Sequence, residues 1–201
     1  MSILIGCLLG LSTLAFIGPV LFYLLKSSVE SGWKAGFMVA LGIIVGDIIC
    51  VLLAILGSHQ FLMKEAQVLW IALIGGSLLT LMGLKFVIFP SVKERAKTQL
   101  NSSSAFIYFF NGFIINFVNP FVFAVWFGFA TYLRESFNQE SDVIIALVCA
   151  LIMIFLTDSL TAIFASKLSK FIQPQRLQKW MRVFGLLMIG FGIRLLIYTW
   201  M

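Results

Sequence analysis

Two acids, Asp47 and Asp158, stand inside long apolar runs of this 201-residue chain. An ionisable side chain at membrane depth is costly, so it is expected to face the bundle interior or a wet cavity. A carboxylate so placed alternates between taking a proton and pairing with a cation, which is the requirement for proton-coupled exchange. Two prolines, Pro19 and Pro120, also fall inside apolar runs, preceded by Gly18 and Asn119. Each removes a backbone hydrogen bond and breaks or kinks its helix. The carbonyls and amides left free are tolerated at that depth only where protein or a cavity receives them. In transporters such breaks bind substrate carboxylates and ions. Gly18, Pro19, Asn116, Asn119 and Pro120 are therefore candidate substrate-binding positions. Lys85 and Arg194 are candidate counter-ions, although each lies near a run's end, within snorkelling reach of an interface.

The elements that must position these residues are apolar helices. The chain is 61% hydrophobic and 11% charged, with a mean hydropathy of +1.07. A soluble domain would carry roughly 25% charged residues. Six runs, 3–25, 35–57, 68–90, 105–133, 143–166 and 183–200, approach or exceed the roughly 20 residues that cross a bilayer. The connections are short, so a single polytopic transmembrane domain is expected over residues 1–201. The first run has no positive flank or cleavage pattern and is read as a retained span. The fourth run, with Asn116 and Asn119 inside it, suits two half-helices better than one straight span. Around Asp47 the small residues Gly36, Ala40, Cys50 and Ala54 share its helical face. Thr161, Ala162 and Ala165 lie near Asp158. Small residues mark helix–helix contact in lipid, so both acids are expected to point inward.

The net charge of +6 does not indicate nucleic acid, because it is distributed by loop. The first, third and fifth connections carry Lys26, Lys34, Lys93, Arg95, Lys97, Lys167, Lys170, Arg176, Lys179 and Arg182. The second and fourth carry only Lys64 and Arg134, with Glu135, Glu140 and Asp142 beside the latter. This bias places the odd loops in the cytoplasm and both termini outside. Residues 174–184 read as a basic amphipathic lead-in helix on the cytoplasmic interface. His59 reads as a solvated loop residue, and the Phe and Trp residues as lipid-facing bulk and interface anchors. Cys7, Cys50 and Cys149 form neither a disulfide framework nor a C-x-x-C motif and are read as packing residues.

The chain also repeats a pattern. "FIGPV" (16–20) matches "FVNPF" (117–121), "VGD" ending at Asp47 matches "LTD" ending at Asp158, and "MGLKFVI" (82–88) matches "FGIRLLI" (191–197). Pro19 thereby pairs with Pro120, Asp47 with Asp158, and Lys85 with Arg194. Three spans per unit invert the second unit relative to the first, as in many secondary transporters. The expected fold is all-α: six transmembrane helices in two inverted three-helix repeats, 3–90 and 105–200. A basic cytoplasmic loop, 91–104, joins them.

With "GPV" (18–20), "GWKAGFMVALGIIVGD" (32–47) and "NPF" (119–121), the chain resembles the LysE/RhtB family of small-metabolite exporters over nearly its whole length. It departs from the family's usual pattern at Ile17 and Phe121, where substrate would be held. The resemblance implies export of amino acids or related metabolites across a bacterial cytoplasmic membrane, driven by proton antiport. Asp47 and Asp158 would be the coupling or substrate-amine sites. The reading needs no cofactor, resident metal or nucleic acid, and the chain is not read as an enzyme; a homo-oligomer stays open. The alternative is an inorganic-cation or metal permease using the paired acids, although such a path usually holds more His, Cys or Asp. A thiol-electron carrier would need membrane cysteines near the prolines, which this chain lacks.

Overall fold

The computed structural model describes residues 1–15, 18–57, 65–90, 102–169 and 174–198. Ile17, His59, Lys64, Lys93, Arg95, Lys97 and Lys170 lie outside the described residues. So does most of the basic loop predicted at 91–104. The described residues form eight α-helices: α1 (Ser2–Ser12), α2 (Pro19–Ser31), α3 (Trp33–Leu56), α4 (Glu65–Ile88), α5 (Ser102–Phe117), α6 (Pro120–Ser136), α7 (Glu140–Leu168) and α8 (Pro174–Tyr198). Among these, α3, α7 and residues 178–197 of α8 are long and apolar enough to cross a membrane. The pair α5 and α6, bent by 65° at residues 118–119, makes a fourth such span.

A break precedes each of the two prolines. Helix α6 begins at Pro120 and α2 at Pro19, the position where a missing donor costs least. At the first break α1 has already stopped at Ser12 and passes into a 3-10 turn, Thr13–Ala15. The Ser12 and Thr13 hydroxyls there donate back to the carbonyls of Leu9 (2.6 Å) and Gly10 (2.7 Å). Such bonds compete with the helical ladder.

Two connections differ from expectation. The first predicted loop shrinks to Gly32, which caps both α2 and α3 at φ 87°, so Lys26 and Lys34 are helical. That conformation favours glycine, and it reverses the chain in one residue. The predicted interfacial lead-in is not separate either, because α8 runs unbroken through residues 174–198. No breaker separates the two parts, and Met181 is buried in a cluster with Phe22, Phe86 and Met188. Packing, rather than the lipid interface, takes that side chain.

The helices meet through small residues, which let backbones approach closely where lipid gives no hydrophobic drive. A Cβ at Gly42 of α3 would strike the Phe109 carbonyl and, at 2.6 Å, the Phe113 nitrogen of α5. One at Gly112 of α5 would strike the Val39 backbone in return. Gly6 and Gly10 of α1 lie likewise against Ala146 and Ala150 of α7, and Cys7 comes beside Cys149 in the same seam. Helices α4 and α8 run antiparallel with two glycine contacts, Gly83 on Gly185 and Gly76 on Gly192. Helix α3 also packs on α2, α6 and α7, and so lies at the centre. The opposite face of α7 exposes Ile145, Val148, Ile152, Leu156, Leu160 and Phe164. A stripe at this spacing belongs against lipid.

Candidate functional site

Asp47 projects from the centre of α3 into protein. It is 4% exposed, and Gly36, Ala40, Cys50 and Ala54 of the same helix are all buried with it. Its Oδ1 accepts two hydrogen bonds: from Asn116 Nδ2 at 2.9 Å and from Trp126 Nε1 at 2.8 Å. The Asn116 amide donates its other hydrogen to the Ile43 carbonyl, also at 2.9 Å. Gly46 makes room for this, since a Cβ there would come within 3.0 Å of Asn116 Nδ2. Asn116 and Trp126 are 2% and 1% exposed. Asn116 lies in the last turn of α5, while Trp126 lies in the second turn of α6. The acid therefore grips the fourth span on both sides of its break.

Trp126 corrects the expectation that the tryptophans are lipid-facing bulk and interface anchors. Its indole packs edge-on against Phe129, with centroids 5.8 Å apart, and its N–H points at a carboxylate. A signal was present in the sequence: Trp126 stands well inside its run, and a buried indole N–H needs a partner. Nothing in the sequence identified that partner.

Asp158, on α7, has different surroundings. It is half-buried and, among the described residues, has no hydrogen-bond or ion-pair partner. The hydroxyl of the next residue, Ser159, is buried and also without a partner in the described structure. Ala162 and Ala165 are buried beside Asp158, and Thr161 is half-buried. Asp158 lies within electrostatic reach of Asp47, and no described cation compensates either acid.

The structure does not bring Lys85 or Arg194 to the acids. Both are exposed, at opposite ends of the antiparallel α4–α8 pair. The prolines are placed more centrally. Pro19 and Pro120 border the two breaks, and Pro120 packs against Gly75 of α4. At the fourth span Asn119 is buried, and its side chain accepts from the Phe121 amide at 3.1 Å. At the first break Gly18 is extended, and no side chain among the described residues caps the start of α2.

Sequence reasoning also missed two ties that flank this centre. Between α2 and α5, Asn111 donates to the Tyr23 hydroxyl at 3.0 Å, and Ser31 pairs with the Tyr108 hydroxyl at 2.7 Å. At the opposite end of α3, Arg134 of α6 donates to the Ile55 carbonyl at 2.8 Å and the Ala54 carbonyl at 3.4 Å. A cation capping free carbonyls favours a helix C-terminus. Among the described residues no three His, Cys, Asp or Glu side chains converge as metal ligands would.

Comparison with curated proteins gives no match, and comparison with solved structures gives none. A family model does match: residues 11–199 fit the LysE type translocator, a span that contains both acids and both breaks. A helical membrane bundle with that match over most of its length belongs to the LysE type translocator family, a family of membrane transporters.

Proposed function

We propose that the protein is a secondary exporter of amino acids or related small metabolites, driven by proton antiport through alternating access. The observation that carries this reading is the pair of acids on packed central helices with no compensating cation among the described residues. Two uncompensated carboxyls at such depth accommodate two charges from outside the protein, a proton and a substrate amine. The uncapped start of α2 supplies the complement, since amides at a helix N-terminus suit a substrate carboxylate.

The packing supports an inverted repeat. Matching "MGLK" to "FGIR" pairs Gly83 with Gly192, and the same register pairs Gly76 with Gly185. The contact between Gly83 and Gly185 then exchanges with that between Gly192 and Gly76, as a two-fold axis requires. The seams of α3 on α5 and of α7 on α1 exchange in the same way. With the positive charge of the odd connections facing the cytoplasm, both termini lie outside a bacterial inner membrane.

The test is efflux from proteoliposomes loaded with a mixture of the common amino acids, under an imposed pH gradient. Asp47→Asn is expected to abolish gradient-driven efflux while the protein keeps its elution profile. Undiminished efflux in that variant would remove the coupling role, and no efflux from the unaltered protein would remove amino acids as substrates.

A further inference from the structure

The two acids are paired by sequence but not by environment, and the difference assigns them separate tasks. Asp47 is sealed, and its Oδ1 already holds two donors. The donors come from two different helices, Asn116 from α5 and Trp126 from α6, separated by the 65° bend at residues 118–119. A single carboxylate oxygen on α3 therefore spans the break. Hydrogen bonds to an ionised acceptor are roughly twice as strong as those to a neutral one. The grip on the bend accordingly depends on the charge of Asp47. Among the described residues Asp158 makes no such bond, is half-buried, and adjoins a second polar group without a partner, the Ser159 hydroxyl. It is the acid whose hydrogen-bonding capacity is unfilled among the described residues.

We infer that Asp158 is the acid open to the proton or the cationic substrate, whereas Asp47, Asn116 and Trp126 form a clasp across the break in the fourth span. Asn116 and Trp126 are positioning residues in this scheme, acting on transport through Asp47. Charge arriving at Asp158 changes the field at Asp47, which lies within electrostatic reach. Neutralising Asp47 weakens both of its hydrogen bonds together and frees α5 and α6 to change their angle. The inference rests on the transport reading for its purpose, but its geometry can be tested without transport.

Dicyclohexylcarbodiimide enters from the lipid and modifies protonated carboxyls it can reach, and peptide mass spectrometry locates the adduct. With the full-length protein in liposomes, Asp158 is expected to be modified and Asp47 spared. Removing one donor with Trp126→Phe is expected to raise modification of Asp47 about tenfold, the effect of one charge-assisted hydrogen bond, while modification of Asp158 stays the same. Leu133→Ala is the control, because Leu133 lies buried in the same α6 cluster as Trp126 and makes none of the bonds to Asp47. That variant is expected to leave Asp47 protected. Equal modification of both acids in the unaltered protein would overturn the division of labour, as would no modification of Asp158. An Asp47 that stays protected in Trp126→Phe, or that reacts as readily in Leu133→Ala, would overturn the clasp. None of these outcomes depends on efflux, so a failure of the transport reading would be seen separately.

Discussion

The two breaks that precede prolines begin alike and end differently. In each, the N-terminal half is seated on a long helix through glycine: α1 on α7 by Gly6 and Gly10, α5 on α3 by Gly112 against Val39. In each, a proline starts the second half. Beyond the proline the likeness stops. The fourth span caps its own second half with the Asn119 side chain and is held on both sides of the bend by Asp47. The first has Gly18 at the same position, no side-chain cap and a 3-10 turn ahead of it. Under the proposed function, the capped break serves as the hinge and the uncapped one as the place for a substrate carboxylate. On the proposed reading, two matching sequence motifs thus differ in task through one side chain, Asn119 against Gly18.

The shared part of the comparison is the easier to break, and the effect should be the largest. Gly42→Val places a branched side chain against the backbone of Phe109 and Phe113, which cannot turn aside. Gly6→Val does the same against Ala146 at the other seam. Each is expected to cost about 3 kcal/mol or more, because the strain falls on backbone rather than on a flexible side chain. Thermal denaturation in detergent, followed by loss of the monodisperse species, measures it. If Gly42→Val were tolerated, the α3–α5 seam would not be the fixed platform on which Asp47 meets Asn116.

Much of this arrangement was legible in the residues themselves. The apolar runs, the two prolines and the two acids led to helices, breaks and an inward Asp47, because composition and steric rules act locally. Asn116 was also singled out, as a polar residue inside a span. Trp126 was not, because its role depends on how α6 lies across α3, which no local pattern encodes. Gly32 was similarly obscured: two lysines and three serines around it resemble a loop, yet Ser28 bonds back to the Leu24 carbonyl at 2.7 Å and the helix continues. The difference between Asp47 and Asp158 was hidden most completely. Their motifs match, and only the packing shows that Asp47 holds two donors while Asp158 holds none among the described residues.

The differing part of the comparison can be removed by making the first break resemble the fourth. Gly18 has extended dihedrals, φ −141° and ψ −174°, and a Cβ there would meet nothing within 4 Å. Gly18→Asn is therefore compatible with the fold, and its side chain can accept from the first turn of α2 as Asn119 does in α6. Stability is expected to change by only a few tenths of a kcal/mol, the usual difference between Gly and Asn at an N-cap. Efflux of the amino-acid mixture is expected to fall about tenfold, the worth of one hydrogen bond to a charged group, because the new cap competes with a substrate carboxylate. Unchanged efflux with a stably folded variant would show that the uncapped start of α2 does not hold substrate.

The reverse change gives the smallest effect and separates the cap from the clasp. Asn119→Ala removes the acceptor for the Phe121 amide but leaves Asn116 and Trp126 on Asp47. The cap alone contributes about 1 kcal/mol, as such substitutions do in other helices. Thermal stability should therefore fall slightly. The Asp47 carboxyl should stay protected from carbodiimide, since neither of its donors has been touched. If protection were lost as well, the bend would be held at Asn119 rather than at Asp47, and the charge on Asp47 would have no grip on the angle between the half-helices. A small loss of stability with protection intact would place control of the bend on the acid, because the cap contributes the same whether or not Asp47 carries a proton.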